Sequence, residues 1–510
     1  LEEPAGFKSG KRRLTDHANL LLGTLPVAGR GTRIMVTLGT ETSQDYALVR
    51  AMLLSGMNCA RINCAHDDPG VWAAMIANIE RARRDLGLAC PVLMDLGGPK
   101  LRTGQIEPGP AVLKWRPKRD AFGRVFAPAR IFLSAVPETP CPRGADVILQ
   151  VDSGWLNALS SGDLIDFVDA RGARRALRIC ESVDGGCWAE ATKTAYVTPD
   201  TVLRRPRRSP HDAPNETRAG CLPKKPQDLV LRPGDMLVLT RDATPGRDAL
   251  TDAHGRTVCP ASIPCTLPQV FEQVRPGERI ALDDGRIRGV IRHVSHEKIH
   301  IEINGAREAG SKLGPDKGIN LPDSTLDLPA LTDKDLQDLS FVVSHADMVG
   351  LSFVQRSTDI EKLQQELKRL DRTEIGIVLK IETRRAFENL PDLMLAAMRS
   401  EKVGVMIARG DLAVELGYER MAEVQEEIMW LTEAAHLPVI WATQVLESLA
   451  KHGQPSRAEI TDAAMSEQAE CVMLNKGPHV VQAIEALDDI LSRMRAHHHK
   501  KRAMMRQLHW

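Results

Sequence analysis

The chain has 510 residues, an apolar fraction of 43% and a formal net charge of zero, so its composition predicts a globular protein of two or three domains. The balanced charge offers no general attraction to nucleic acid or to a membrane surface, and no apolar run approaches the roughly 18 residues of a membrane span. We therefore expect neither nucleic acid nor a membrane as a partner.

The first stretch, LEEPAGFKSGKRR, contains no apolar signal region, and the cysteines occur without a CxxC pair. Several of them, such as Cys59, Cys64 and Cys471, lie inside apolar runs, which is typical of reduced core thiols. Both observations predict a cytoplasmic protein without a secretory leader. Residues 1–31 are treated as an N-terminal segment.

Short apolar runs alternate with amphipathic helical segments from residue 32 onward, which is the pattern of parallel βα units. Three units fall within residues 32–103 and five more within 318–490. Eight units predict an α/β fold, a (β/α)8 TIM barrel, although a doubly wound open sheet shows the same alternation. The predicted strands are RIMVTLG, CARINCA, PVLMDLGG, DMVGLSF, IGIVLKIE, VGVMIARGD, LPVIWATQ and CVMLN.

Residues 104–317 separate strands three and four and lack long helical periods, but they carry many turn sequences such as RPGD and LDDGR. Alternating runs such as EKIHIEIN predict an all-β domain inserted after barrel strand three. The basic run RRPRR (204–208) is short, broken by proline and free of aromatic residues, so it predicts an exposed linker. Residues 491–510 are predicted to be a basic C-terminal tail.

Polar residues end several predicted strands, where a barrel places its active site. Lys380 and Glu382 close strand five and share one face because strand side chains alternate, and Asp411 closes strand six. Two carboxylates are hard oxygen ligands suited to Mg²⁺ or Mn²⁺, and Lys380 can neutralise charge on a phosphoryl group or an enolate. Salt bridges in the barrel mouth are the alternative for the carboxylates, and a Schiff base is the alternative role for the lysine.

Other strand ends favour an additional anionic ligand. Arg61, Arg102 and Lys317 are cations suited to nucleotide or phosphoester oxygens, although each taken alone is more typical of a surface salt bridge. The remaining polar residues at these ends are Asn63, His66, Asp95, Lys100, Thr443 and Gln444.

Eight segments together resemble the signature segments of pyruvate kinases, in the family's order. They are GMNCARINCAHDD, MDLGGPKLRTG, ALDDGRI, DKGINLPDSTLDLPALTDKDLQDL, VLKIETRRAFENL, IARGDL, IWATQVLES and PSRAEITD. The likeness covers most of residues 32–104 and 270–475. It implies a (β/α)8 barrel with a β-domain after strand three. It also implies phosphoryl transfer from phosphoenolpyruvate to ADP, giving pyruvate and ATP, with Mg²⁺ or Mn²⁺.

By this resemblance, Lys380, Thr443 and Arg61 are catalytic, with Lys380 stabilising the transferred phosphoryl group and Thr443 beside the carbon that gains a proton. Glu382 and Asp411 are implied to hold the metal. The implied substrate site comprises Ala408, Arg409, Gly410, Asp411, Thr443 and Lys380, with backbone N–H groups at a helix start receiving the substrate carboxylate. The implied nucleotide site comprises Arg61, Asn63, His66, Arg102 and Lys317. Arg409 itself is expected to support its loop through a salt bridge.

Many pyruvate kinases use a potassium ion beside the phosphate. The resemblance implies that positions matching Asn63, Ala65, Asp95 and the carbonyl of Leu96 would hold it. Here alanine replaces a hydroxyl residue, and Lys100 stands where glutamate is common. We expect the ammonium of Lys100 to replace the charge of the ion, so that K⁺ is not required. The alternative is that Lys100 points to solvent and Asp95 caps a turn.

Three regions depart from the family. TLGTET replaces a motif containing TIGP after strand one, and LNKGPHV replaces a Ser-Gly-Glu-Thr segment after strand eight. The second change predicts a loss of polar groups beside the nucleotide. Residues 111–220 have no recognised counterpart, and GDLIDFVDARGARRALRI within them predicts an additional β-hairpin.

Two alternative functions remain open, a metal-dependent oxo-acid lyase or aldolase and a non-catalytic ligand-binding relative. Typical pyruvate kinases carry a C-terminal domain that binds sugar-phosphate effectors. That domain has no counterpart in this sequence, so no activation by fructose 1,6-bisphosphate is expected through such a site. A homo-oligomer, if one forms, is expected to use other surfaces.

Overall fold

The computed structural model describes residues 7–25, 29–136, 141–205, 215–222, 227–254 and 256–495. Residues 206–208 of the predicted linker and 496–510 of the predicted tail lie outside the described residues. The chain forms two compact units, one made of Leu1–Gln105 with Leu229–Trp510 and the other of Ile106–Asp228. The domain boundaries predicted from sequence remain predictions.

The helices and strands follow in chain order. Before the insertion they are α1 (Phe7–Leu22), β1 (Arg33–Thr37), α2 (Tyr46–Leu54), β2 (Cys59–Asn63), α3 (Pro69–Leu86) and β3 (Val92–Asp95). Within Ile106–Asp228 they are β4 (Leu113–Trp115), β5 (Lys118–Arg119), β6 (Val125–Ala127), β7 (Ala129–Ser134), β8 (Val147–Gln150), α4 (Ser153–Asn157), β9 (Leu164–Val168), β10 (Arg174–Val183), β11 (Gly186–Ala191), β12 (Ala195–Val197), β13 (Val202–Arg204) and β14 (Glu216–Arg218).

Beyond that unit the chain forms further strands and then returns to strand–helix units. The strands are β15 (Leu229–Leu231), β16 (Met236–Thr240), β17 (Leu250–Thr251), β18 (Thr257–Cys259), β19 (Ala261–Pro264), β20 (Arg279–Leu282), β21 (Ile287–Val294), β22 (Lys298–Gly305), β23 (Ser311–Leu313) and β24 (Ile319–Asn320). The remaining elements are α5 (Asp333–His345), β25 (Met348–Leu351), α6 (Ser357–Arg369), β26 (Gly376–Ile381), α7 (Arg384–Glu388), α8 (Leu390–Ala397), β27 (Val403–Ala408), α9 (Arg409–Leu416), α10 (Met421–Ala434), β28 (Val439–Val445), α11 (Glu447–His452), α12 (Arg457–Met465), β29 (Cys471–Leu474) and α13 (Val480–Met494).

Eight parallel strands close into a barrel in the order β1-β2-β3-β25-β26-β27-β28-β29, and β29 pairs back to β1. The predicted barrel is therefore confirmed, and the open-sheet alternative is wrong. The strands are near-continuous apolar runs because both of their faces are buried. Predicted strand six was too long: β27 ends at Ala408, so Asp411 lies in the first turn of α9 and not on the strand.

The insertion contains β-structure throughout, as predicted. Within Ile106–Asp228, a seven-stranded sheet has the order β14-β13-β9-β10-β11-β7-β8 around a core that includes Trp115, Trp155 and Phe167. The predicted hairpin is β9 paired antiparallel with β10. Residues 229–320 form a separate six-stranded sheet in the order β19-β16-β22-β21-β20-β24.

Helix α1 was not predicted, and it closes the amino-terminal end of the barrel. Leu21 and Leu22 pack with apolar residues inside the barrel, including Met406 and Met473. Room for Leu21 comes from a glycine in β26 and another in β27, since a Cβ added to either Gly376 or Gly404 would lie 2.5 Å from a Leu21 methyl carbon. Because α1 closes the amino-terminal end, the mouth of the barrel is at the carboxyl-terminal end of its strands.

Candidate active site

Asp95 ends β3 and is fully buried at the barrel mouth. Its Oδ2 accepts hydrogen bonds from Arg61 Nε at 2.7 Å, with Arg61 Nη2 at 2.6 Å and Lys380 Nζ at 3.4 Å. Burial would raise the pKa of Asp95, but the charges of Arg61 and Lys380 outweigh it and hold that pKa below its ordinary value. Asp95 is thus a permanent anion that orients two cations.

Lys380 lies between Asp95 and Glu382. Its Nζ is 3.0 Å from Glu382 Oε1 and donates to Ser352 Oγ at 2.7 Å, and that hydroxyl donates to the carbonyl of Leu96 at 2.7 Å. Burial would lower the pKa of Lys380, but Asp95 and Glu382 raise it above its ordinary value. Lys380 is therefore a fixed cation at neutral pH, on the face it was predicted to share with Glu382.

The two candidate metal ligands follow neighbouring strands. Glu382 follows β26, and its Oε2 accepts a hydrogen bond from the backbone N–H of Phe353 at 2.7 Å. Asp411 stands in the first turn of α9, after β27, with Lys100 Nζ at 2.9 and 3.1 Å from its two oxygens. Among the described residues no cluster of three or more His, Cys, Asp or Glu side chains gathers as a metal site. Two hard-oxygen donors fit Mg²⁺ or Mn²⁺, with other ligand positions left to substrate and water.

Arg409 binds backbone carbonyls near the carboxyl end of the seventh barrel strand, β28. Its Nε donates to the carbonyl of Ala442 at 2.9 Å, one Nη2 hydrogen bond of 2.6 Å reaches the carbonyl of Thr443, and Nη2 also donates to Asp462 Oδ2 at 2.8 Å. The guanidinium also lies over the Trp441 ring, 4.8 Å from its centroid. The expected salt bridge is therefore present.

Thr443 is held in a backbone conformation that a β-branched residue rarely adopts. Its φ is 63°, and that of Gln444 is 59°. The Oγ1 of Thr443 accepts a hydrogen bond from the backbone N–H of Gly410 at 2.9 Å. Gly410 lies in the first turn of α9, which begins directly after Ala408. Strain of this kind persists only where surrounding contacts enforce it, and it clusters at functional sites. The hydroxyl of Thr443 is thus fixed against the start of α9.

A cleft of about 230 Å³ is lined by Arg61, Asn63 and His66. Asn475 and Lys476 line the same cleft. LNKGPHV therefore contributes an amide and a cation to the cleft, although it lacks the polar groups of the Ser-Gly-Glu-Thr segment that it replaces. Partial burial, followed by the charge of Lys476, lowers the pKa of His66.

Arg102 and Lys317 are not among the residues lining this cleft in the described structure. Arg102 Nη1 donates to the carbonyl of Asp316 at 3.2 Å, and Lys317 Nζ lies 3.2 Å from Asp283 Oδ1. The structure therefore brings together only part of the predicted nucleotide set.

The residues matched to a potassium site have partners within the protein. Asn63 Oδ1 accepts a hydrogen bond from the backbone N–H of Ala65 at 3.1 Å, and the Leu96 carbonyl accepts from a serine hydroxyl. In the part of the chain that the structure describes, Lys100 pairs with Asp411 and with no other carboxylate. The ammonium thus lies at a candidate metal ligand and not at Asp95. Its side chain is 23% exposed and paired with Asp411, so the alternative in which it points to solvent is wrong.

Asn320 connects Asp411 to a buried carboxyl group that sequence reasoning missed. Asn320 Nδ2 lies 3.5 Å from Asp411 Oδ1 and 3.2 Å from Glu415 Oε1. Burial raises the pKa of Glu415 to about 7, and the charge of Asp411 adds to that effect. Ser352, another missed residue, had a signal in the sequence, since it follows an apolar strand in LSF as other site residues do.

The barrel-domain model of pyruvate kinase matches residues 29–118 and 215–479, more than half of the chain. The chain belongs to the pyruvate kinase family. The unmatched residues 119–214 carry most of the seven-stranded sheet. A pyruvate kinase from Cryptosporidium parvum shares the fold, with a TM-score of 0.59 and 19% identity over 94% of this chain and 70% of its own.

Curated relatives are also pyruvate kinases. That of Hypocrea jecorina is 35% identical over 43% of this chain and 40% of its own length. That of Thermotoga maritima is 31% identical over 54% of this chain and 55% of its own length. The PKLR enzyme of Rattus norvegicus is 26% identical over 92% of this chain and 61% of its own length. The chain thus spans between two fifths and about three fifths of these relatives.

Proposed function

We propose that the protein transfers the phosphoryl group of phosphoenolpyruvate to ADP, giving pyruvate and ATP, with Mg²⁺ or Mn²⁺. One observation carries the proposal: the ammonium of Lys380 is locked between Asp95 and Glu382 at the mouth of a pyruvate kinase barrel. Glu382 and Asp411 would hold the metal, which when bound neutralises and orients phosphoryl oxygens.

The cations supply a preorganised field for a phosphoryl group in transit. Lys380 is positioned by three oxygen partners, and Arg61 is fixed by Asp95 and by Thr37 Oγ1 at 3.0 Å. Neither side chain needs to reorganise as charge shifts from the breaking to the forming P–O bond. Preorganisation of this kind lowers the barrier more than the same charges would in water.

The substrate carboxylate and the proton acceptor carbon are assigned to the start of α9. Backbone N–H groups at a helix start favour an anion, and Ala408 to Asp411 provide them. The N–H of Gly410 lies 2.9 Å from Thr443 Oγ1. A substrate whose carboxylate binds at this helix start would therefore place its enol carbon near that hydroxyl. The side chain of Arg409 holds the carboxyl end of β28, and only its backbone is proposed to contact substrate.

The nucleotide phosphates are assigned to the cleft lined by Arg61, Asn63 and His66, with Lys476 as an added cation. Helices in the described residues do not combine the length and apolarity needed to cross a bilayer. All ten cysteines are free thiols, which supports a reducing, cytoplasmic location.

A Schiff-base lyase or aldolase needs a neutral amine, whereas Asp95 and Glu382 raise the pKa of Lys380. The deciding assay follows pyruvate formation from phosphoenolpyruvate with Mg²⁺, with and without ADP. ADP-dependent turnover supports the kinase. Pyruvate released from a larger oxo-acid without nucleotide supports the lyase, and phosphoenolpyruvate binding without any turnover supports a ligand-binding relative.

A further inference from the structure

Each candidate metal ligand already forms an ion pair with a lysine. Lys380 Nζ lies 3.0 Å from Glu382 Oε1, and Lys100 Nζ lies 2.9 and 3.1 Å from the two oxygens of Asp411. Two carboxylates and two ammonium groups balance one another before any metal binds. A metal that enters this site therefore meets cations as well as ligands.

The two lysines differ in how firmly they are held. Lys380 has a side chain 10% exposed and is also bound to Asp95 and Ser352. Lys100 is 23% exposed, and within the described structure Asp411 is its one carboxylate partner. A Cβ added to Gly318 would lie 3.3 Å from Lys100 Cε, so the lysine reaches Asp411 across a position without a side chain. Lys100 is therefore the cation that can leave.

We propose that Lys100 is an internal counter-ion of Asp411 that a divalent metal must displace, so that Lys100 sets the metal affinity of the protein. A metal at the usual distance of about 2.0–2.2 Å from a carboxylate oxygen would stand at contact distance from Nζ, where like charges repel. The ammonium and the metal cannot share the two Asp411 oxygens. The inference rests on the proposed function only for the identity of the metal ligands.

Displacement also couples the metal to an anionic phosphoester. Once it leaves Asp411, the ammonium needs another anion, and a phosphate group provides one. Binding of a phosphoester would thus lower the cost of releasing Lys100 and strengthen metal binding. The coupling is reciprocal, since each ligand changes the affinity of the other by the same factor.

The test measures Mn²⁺ binding to the full chain without substrate, using the electron paramagnetic resonance signal of free Mn²⁺. Lys100→Met removes the charge and keeps the apolar stem, so we expect about tenfold tighter binding. Lys334→Met is the matched control, because Lys334 pairs with Asp338 within α5 and is expected to leave the affinity unchanged. Asp411→Asn should abolish this binding and thereby identify the site.

Unchanged or weaker Mn²⁺ binding by Lys100→Met overturns the inference, and Lys100→Gln provides the same test if the first variant does not fold. In a second measurement, phosphoglycolate should tighten Mn²⁺ binding more in the unmodified protein than in Lys100→Met, and equal gains contradict the coupling. Tighter Mn²⁺ binding without ADP-dependent turnover would reject the kinase and keep the counter-ion. Normal ADP-dependent turnover of the unmodified protein, with a Mn²⁺ affinity that Lys100→Met leaves unchanged, would support the kinase and reject the counter-ion.

Discussion

The barrel mouth contains two charged groups built in different ways. The Asp95 group (Arg61, Asp95 and Lys380) comes from three barrel strands, β2, β3 and β26, whose register fixes it. The Asp411 group (Lys100, Asn320, Asp411 and Glu415) comes from the loop after β3, from β24 and from α9. The hydrogen-bonded barrel sheet fixes the positions of the first group, whereas the second group is joined by side-chain contacts between segments that do not pair with one another.

Electrostatics separate the two groups further. In the Asp95 group, cations hold the pKa of a buried carboxyl below its ordinary value, so its charge persists. In the Asp411 group, burial raises the pKa of Glu415 to about 7, so that carboxyl resists ionisation. The first group is suited to neutralising charge at a fixed point. The second is suited to exchanging one cation for another.

The largest expected effect comes from breaking the Asp411 group at its centre. Asp411→Asn keeps the size of the side chain and removes the charge that a divalent metal requires, so we expect an intact fold and no divalent-dependent turnover. Circular dichroism checks the fold, and a Mg²⁺ titration of pyruvate formation checks the activity. Asp338→Asn, in a Lys–Asp pair on α5, is the matched control. Near-normal Mg²⁺-dependent turnover by Asp411→Asn would rule out its role as a ligand.

Breaking the Asp95 group at its reactive cation should cost several orders of magnitude in rate. Lys380→Met leaves Asp95 paired with Arg61, so the fold has a remaining counter-ion. Because the lysine charge matters most when charge shifts in the transition state, kcat should fall while phosphoenolpyruvate binding is largely spared. Steady-state kinetics measures kcat, and a direct binding measurement gives the affinity for phosphoenolpyruvate. Near-normal turnover by Lys380→Met would contradict the mechanism.

Glu415 gives a pH-dependent test of the second group. Its folded-state pKa of about 7 lies above the ordinary value of 4.5, so the folded protein loses stability as pH rises through that interval. Glu415→Gln keeps an oxygen for Asn320 and removes the ionisation, and we expect a gain of roughly 3 kcal/mol at pH 8. Little gain is expected at pH 4. Urea denaturation at both pH values, without divalent metal, measures the change in the free energy of unfolding. An equal change at the two pH values would contradict the raised pKa of Glu415.

Gly350 tests how tightly the first group is fixed. A Cβ added there would lie 2.1 Å from Asp95 Oδ1, in a fully buried position, so Gly350→Ala must shift the anion that orients both cations. We expect a loss of about 2 kcal/mol in the free energy of unfolding, together with a lower kcat. Gly31→Ala is the control, since nothing lies within 4 Å of its added Cβ. A fully active and stable Gly350→Ala protein would show that Asp95 tolerates displacement.

The sequence predicted the first group better than the second, for a physical reason. Strand alternation is local, so it placed Lys380 and Glu382 on one face correctly. The pair between Lys100 and Asp411 joins a loop to a helix 311 positions apart in the sequence, and no periodicity indicates such a contact. Likewise, the sequence did not indicate that Asn475 and Lys476 line the cleft, because the direction of their side chains depends on the fold of the loop. Helix α1 was missed because its packing partners are inside the barrel.

The smallest expected effect is the response to potassium, which we predict to be weak because candidate ligands of the ion already have partners. The Leu96 carbonyl and Asn63 Oδ1 both accept hydrogen bonds within the protein, and Ala65 has no hydroxyl. A potassium ion would have to displace these bonds, so the rate in tetramethylammonium buffer should not rise when KCl is added. Lys100→Glu should lower activity, because it places a second carboxylate beside Asp411, and it should not create full K⁺ dependence while position 65 lacks an oxygen. The A65S/K100E double variant restores that oxygen and should respond more strongly to KCl than Lys100→Glu alone. A strong rise with K⁺ in the unmodified protein would show that the ion still binds.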